Sequence, residues 1–309
     1  MSDLYNVSSG PHVRSSDTTG KIMGIVLLAL IPASGYGIYH FGINAAVIIV
    51  VSILACVLTE LVYELLMKQK VTVTDLSAAV TGLLLALNMP PTAPWWLPVI
   101  GGVFAILFVK MLFGGLGQNF MNPALGGRCF LVICFAARMT NFNYDGMTSA
   151  TPLAMLRAGE AIDVRSMIIG NIAGTIGETS VIAIVLGACI MLALGVIDLR
   201  IPATYLISFT IFMGLFAGHG WDVNYLLAQL AGGGLMLGAF FMATDYATSP
   251  ITGNGKIVYG IALGIMTGIF RCFSSSAEGV SFAIVFCNLL VPIIETLTLP
   301  KCFGKGGEA

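Results

Sequence analysis

The sequence predicts an all-α polytopic membrane protein of about ten transmembrane helices, arranged as two inverted-topology halves with broken or re-entrant elements. Three observations predict it. Hydrophobic residues make up 57% and charged residues 9%, with a mean hydropathy of +0.95. A soluble domain carries about 25% charged residues, so this chain has too little charge to solvate a globule. Apolar blocks recur along the chain, five before and five after one polar, hydroxyl-rich stretch, Tyr144–Leu153. Odd numbers of crossings on either side invert the second half relative to the first. Glycine accounts for 37 of 309 residues, which lets membrane helices approach closely and break inside a protein interior.

The elements follow in order. Residues 1–20 are polar, lack the apolar core of a cleaved signal peptide, and form a cytoplasmic N-terminal segment. The first transmembrane half covers 21–140. It opens with a crossing near Lys21–Tyr39, with Pro32 and Gly35 as an expected kink, and a second near Ile43–Met67 carrying Glu60 and Glu64 one turn apart. A third segment starts at the helix-capping run Asp75-Leu-Ser77 and stops at Asn88-Met-Pro-Pro91. It is shorter than the roughly 20 residues of a full span, so it reads as a half-helix broken within the protein. Trp95 and Trp96 suit an interfacial anchor for the fourth crossing, to about Phe113. The irregular run Gly114–Pro123 precedes a fifth, Ala124–Met139. Residues 141–166 form the polar loop and its amphipathic tail. The second half, 167–299, begins with a glycine-broken lead-in ending at Glu178, then crossings near Ser180–Val196, Ile201–Gly218, Tyr225–Ala243, Ile257–Phe273 and Gly279–Leu299. Residues 300–309 are a C-terminal tail.

With the N-terminus in the cytoplasm, ten of the 14 lysines and arginines fall inside and four, Arg138, Arg157, Arg165 and Arg271, fall outside. That satisfies the positive-inside bias and places the Asp145–Thr151 loop on the outer face. The net charge of −1 excludes nucleic acid as a partner class. Seven cysteines without a Cys-x-x-Cys and three distant histidines give no metal, iron–sulfur or haem site.

Chemistry concentrates at two kinds of position. Asp145, Thr148, Ser149 and Thr151 crowd into seven residues. Asp145-Gly146 starts a turn, and Pro152 biases Thr151 to extended backbone, leaving its hydroxyl within reach of another protein. The same Thr-Pro pair also fits an ordinary helix start. Ionisable groups at membrane depth are costly and mark function or pairing. Glu60, Glu64, Asp75, Lys110, Glu178, Asp245, Glu278 and Glu295 qualify, and Glu178 and Asp245, flanked by small and hydroxyl residues, are the ion-path candidates.

Several motifs carry a resemblance. Thr74 to Pro90, Gly114-Gly-Leu-Gly-Gln-Asn119 through Asn122-Pro-Ala-Leu125, Gly177-Glu-Thr-Ser180, Met242-Ala-Thr-Asp245 and Thr248-Ser-Pro250 resemble the D subunits of Rnf ion-translocating electron transport complexes. Ser9–Ser15 and Glu278–Ala283 also fit, so the likeness runs from about residue 9 to about 298. The homologous B subunit of the Na⁺-pumping NADH:quinone reductase shares much of the pattern but has a longer N-terminal region. The resemblance implies FMN joined through its phosphate to a threonine of a Ser/Thr-Gly-Ala-Thr motif. Here Thr148-Ser-Ala-Thr151 matches, with Thr151 as the attachment residue and Ser149 in place of the usual glycine. It further implies a second, non-covalent flavin such as riboflavin, a flavin transferase, and the A, B, C, E and G subunits of the Rnf complex as partners. The implied activity is electron relay in a ferredoxin:NAD⁺ oxidoreductase that moves Na⁺ or H⁺ across the bacterial cytoplasmic membrane, with no catalytic residue of this chain's own. The broken elements around Asp75–Pro90 and Gly170–Thr179 are expected to line the second flavin or the ion path. The rival classes are a flavin-free transporter or channel of related fold, and a membrane scaffold; neither needs the Thr151 loop.

Overall fold

The computed structural model describes residues 17–144, 147–148, 151–160, 162–274 and 279–300. Most of the N-terminal segment, and nearly all of the C-terminal tail, lie outside that range. The chain traverses one bundle repeatedly, so its two ends are named by the first helix. The first face is where that helix begins and the second face is where it ends.

Helix α1 (Thr19–Phe41) is capped by the Thr18 hydroxyl and runs on through Pro32. The kink expected there does not interrupt it. Helix α2 (Ile43–Leu66) returns to the first face, where α3 (Ser77–Leu87) starts. Asp75 accepts from both the Ser77 amide and its hydroxyl, as the sequence implies. The cap position itself is Leu76, held at φ 65°, a left-handed conformation that costs a side-chain-bearing residue roughly 1–2 kcal/mol. Helix α4 begins at Trp96–Phe104, widens to π-type turns over Ala105–Lys110 and tightens over Met111–Phe113. Trp95 is exposed, as an anchor should be, while Trp96 packs edge-on against Phe135.

Helix α5 (Pro123–Cys134) is capped by the Asn122 side chain, and a one-turn α6 (Ala136–Met139) follows a break at Phe135. The fifth crossing is therefore two pieces. A two-residue antiparallel pair then forms, β1 (Asn143–Tyr144) with β2 (Met147–Thr148); the Asp145-Gly146 dipeptide at which a turn is expected lies outside the described residues. The short helices α7 (Pro152–Arg157) and α8 (Val164–Ile169) precede α9 (Val181–Ala193). Helix α10 (Arg200–Phe216) crosses to the second face. Helix α11 (Val223–Ala231) and α12 (Leu235–Leu237), extended by π-type turns to Met242, return in two pieces bent by 62°. Helices α13 (Gly253–Phe273) and α14 (Val280–Thr298) complete the bundle.

Each of the ten segments read from the sequence has a counterpart. Among the described residues, five helices are long and apolar enough to cross a membrane unaided, a sixth is the bent pair, and α3, α5, α9 and α10 are shorter apolar helices. The exposed side chains, such as Ile31, Val50, Leu54, Ile207 and Leu289, are the apolar residues that a lipid-facing surface requires.

Small residues set the closest approaches. A β-carbon on Gly187 of α9 would overlap the Ala29 carbonyl of α1, and one on Gly82 of α3 would meet the Ile53 backbone of α2. Ser52 reinforces the second contact by donating to the Gly82 carbonyl at 2.7 Å. Gly187→Val should therefore wedge the two halves apart and destabilise by about 1–3 kcal/mol, read as a lowered melting temperature in detergent. Gly35→Ala, which meets nothing within 4 Å, should leave melting unchanged or slightly raised.

Candidate functional site

Functional side chains gather at three depths. On the second face, Thr151 is extended (φ −62°, ψ 153°) at the start of α7, with Pro152 at the first helical position. Its carbonyl accepts the first helical bond from Met155, and its side chain takes no part in capping. The residue is partly exposed, as the Thr-Pro pair predicts. Helix α7 is pinned beneath it. Leu153 is buried against Gly232 and Gly233, which form the break between α11 and α12. Gly233 and Gly234 sit at φ 65° and 66°, where a side chain would be strained. Arg271 of α13 fills the space behind that break and donates to the carbonyls of Gln229 and, at 2.7 Å, Gly232. Arg157, at the end of α7, donates to the Arg271 carbonyl. Of the other loop residues named from the sequence, Thr148 lies in β2, and Asp145 and Ser149 lie outside the described residues.

Beside α7 a cleft opens on the second face in two lobes of about 230 and 520 Å³. His219 and Tyr225, stacked with ring centroids 4.2 Å apart, line both lobes together with Leu156. Arg157, Gln229 and Arg271 line the smaller lobe with Phe216 and Phe273. Glu160, Asp163 and Asp222 make the larger one acidic. Hydrogen bonds from the Ser166 hydroxyl and the Arg165 amide hold the Asp163 carboxyl below the usual range.

On the first face, the Lys110 ammonium lies 2.6 Å from Glu60 and 2.6 Å from the Ser77 hydroxyl, with lysine and glutamate both fully enclosed. Thr72 bridges Glu60 and Glu64. A narrow cleft beside this cluster, about 60 Å³, is lined by Lys110, Asn119, Asn122, Asp245 and the apolar Val80 and Leu84 of α3. Asp245 lies in the loop after α12, where desolvation raises its carboxyl pKa and the Thr248 hydroxyl opposes the rise. Glu295, near the end of α14, accepts from the Ile251 amide at 3.0 Å. Glu278 lies outside the described residues.

Between the faces the broken elements meet. The Ile176 amide donates to Met89 at 3.0 Å and the Gly177 amide to Leu87 at 2.8 Å. Glu178 is buried, its carboxylate against Gly174 and Gly234. The two ion-path candidates are thus apart: Glu178 sits at the level of Gly234, and α12 with its π-type turns runs on for roughly 12 Å at helical rise before Asp245. Of the two expected lining segments, Asp75–Pro90 reaches the first-face cleft through Ser77, Val80, Thr81 and Leu84. Gly170–Thr179 lies deeper, against the end of α3.

Three buried cations qualify the sequence reading. Arg128 donates to Asn88 at 2.9 Å and Ser281 at 2.7 Å inside the bundle, and Lys110 and Arg271 are equally enclosed. None of the three marks a loop. Removing Lys110 and Arg128 from the ten inside charges and Arg271 from the four outside leaves eight against three, the same sign. Each is visible in the sequence as a lone cation within an apolar segment. The partners are not, because they stand 33 to 153 positions away along the chain. Among the described residues no group of histidine, cysteine or acidic side chains could hold a metal.

Breaking the Lys110–Glu60 pair leaves one charge uncompensated in the interior, at about 3–5 kcal/mol. Lys110→Met should accordingly lower thermal stability sharply, and Lys110→Met with Glu60→Gln should recover most of the loss. Equal melting of the single and double variants would contradict the pairing.

The model of the NQR2, RnfD, RnfE family matches residues 6–304. The chain is 43% identical to the D subunit of the Na⁺-translocating ferredoxin:NAD⁺ oxidoreductase complex of Acetobacterium woodii, covering 98% of this chain and 97% of that one. It is 36% identical to the D subunit of the proton-translocating ferredoxin:NAD⁺ oxidoreductase complex of Clostridium ljungdahlii, over 98% and 97%. The D subunit of the ion-translocating oxidoreductase complex of Escherichia fergusonii is 31% identical, over 97% and 99%.

Proposed function

The chain belongs to the NQR2, RnfD, RnfE family, and we propose that it is the D subunit of an ion-translocating ferredoxin:NAD⁺ oxidoreductase complex and carries FMN covalently on Thr151. The single observation behind the covalent site is the backbone at Thr151. It is extended, followed by proline, partly exposed and uncommitted to capping, so the hydroxyl is available to a flavin transferase. The relatives' names supply the complex. In one it is called Na⁺-translocating and in another proton-translocating, so the family accommodates either ion.

The flavin, when bound, supplies reversible electron transfer. The chain supplies position and surroundings. Helix α7, anchored through Leu153 and Arg157, holds the attachment residue at a fixed place over the α11–α12 break. The second, non-covalent flavin is assigned to the mouth of the first-face cleft, where Val80 and Leu84 offer an apolar wall for a ring. The Asn119, Asn122 and Lys110 donors beside it are engaged with Met121, Met242, Glu60 and Ser77. Electrons then pass between two sites on opposite faces of one bundle, and the A, B, C, E and G subunits bring them in and take them away. The Thr151 face is extracytoplasmic in this reading and the N-terminus is cytoplasmic, in keeping with the remaining eight-to-three charge bias.

The test is a denaturing gel viewed under ultraviolet light, with intact mass, for the chain produced together with its flavin transferase. The wild type should fluoresce and gain the mass of one FMN phosphoester; Thr151→Ala should lose both. A wild-type chain without added mass would overturn the covalent assignment, and fluorescence that survives in Thr151→Ala would move it to another hydroxyl.

A further inference from the structure

We infer that the smaller lobe of the second-face cleft is the seat of the isoalloxazine ring carried by Thr151, with Tyr225 as its stacking wall and Arg157 as the cation at its polar edge. This rests on the covalent-flavin reading and deepens it.

Reach comes first. Arg157 lies six residues beyond Thr151, or roughly 9 Å along α7 at helical rise. A phosphate with a five-carbon ribityl arm spans a comparable length, so a ring attached at Thr151 arrives beside Leu156 and Arg157. Those two side chains line the smaller lobe. The composition of the lobe matches the ligand. Flavin rings are flat, aromatic on both faces and polar along the pyrimidine edge. Tyr225, Phe216 and Phe273 offer aromatic surfaces, and Arg157, Gln229 and Arg271 offer polar groups. Tyr225 is itself held in place: its hydroxyl accepts from Gln229 at 3.2 Å and its ring stacks on His219. The smaller lobe, at about 230 Å³, is below the roughly 300–1,000 Å³ of pockets that enclose a whole organic ligand, so it seats the ring while the ribityl phosphate runs along α7 outside it.

Charge gives the lobe a consequence. A flavin ring gains negative charge on reduction, and a guanidinium at its edge stabilises that charge. Arg157 therefore raises the midpoint potential of the attached flavin. The acidic side chains Glu160, Asp163 and Asp222 fall in the other lobe, together with Arg165, and Arg271 adds a second cation to the smaller one.

The experiment uses the whole complex, produced with its flavin transferase, with the complex bearing Thr151→Ala subtracted as the blank. Intact mass reports attachment. Native fluorescence of the Thr151-linked flavin reports stacking, because an aromatic wall quenches it, and a redox titration followed by visible absorbance reports the potential. Tyr225→Leu should keep the FMN mass and brighten the flavin several-fold, while Tyr225→Phe should remain quenched. Arg157→Gln should keep the mass and shift the midpoint potential downward. FMN attached in every variant with fluorescence and potential unchanged would overturn the seat alone. No FMN on wild type would overturn the parent reading and the seat with it.

Discussion

Two backbone hydrogen bonds, from Ile176 and Gly177 to the carbonyls of Met89 and Leu87, are the constraint on which the bundle depends. Helix α3 has 11 residues, so it rises only about 16 Å before it stops, about half of a roughly 30 Å apolar core. A helix that ends there leaves carbonyls without water, at several kcal/mol each. The break between α8 and α9 leaves amides in the same predicament. Each satisfies the other, and the first half cannot stop short unless the second half does so opposite it. Asn88, in the middle of this junction, accepts from Arg128, which also donates to Ser281 on α14. The junction thereby binds α3, α5, α9 and α14 into one frame.

From that frame the two faces follow. Toward the first face, α3 runs down to Ser77 and the Lys110–Glu60 pair, and the cleft with Asp245 opens beside it. Toward the second, Glu178 contacts Gly234 at the α11–α12 break, and that break receives Leu153 and hence α7. Thr151 is set by a chain of contacts leading back to the same mid-depth junction. The small-residue contacts at Gly187 and Gly82 hold the helices of this frame together by direct backbone approach, with no side chain between to yield.

Much of this is legible in the sequence for physical reasons. Hydropathy locates the ten segments because lipid admits few polar side chains. Proline after Thr151 fixes the extended backbone locally, without tertiary help. Asp75-Leu-Ser77 announces the start of α3 because side-chain capping is a contact between residues two apart. What stays hidden depends on distant partners. Arg128 is counted with the inside charges until Asn88 and Ser281 are found beside it. Arg271 resembles an outer-face anchor until the α11–α12 carbonyls are found around it. Pro32 suggests a kink, yet α1 continues through it, while the larger bend comes at Gly232-Gly233-Gly234, inside one apolar block. The smaller lobe of the cleft beside α7 has no sequence signal, because α7, α10, α11 and α13 each contribute only one to three of its lining residues.

The most direct measurement of the central claim is hydrogen exchange on the intact protein in lipid nanodiscs, resolved to peptides covering residues 170–180. If the two broken elements satisfy each other, the Ile176 and Gly177 amides should exchange as slowly as those of the long helices α2 and α13, despite lying outside any helix. Exchange as fast as in the irregular run 114–118 would show that the junction is open, and the frame joining the two faces would be lost with it.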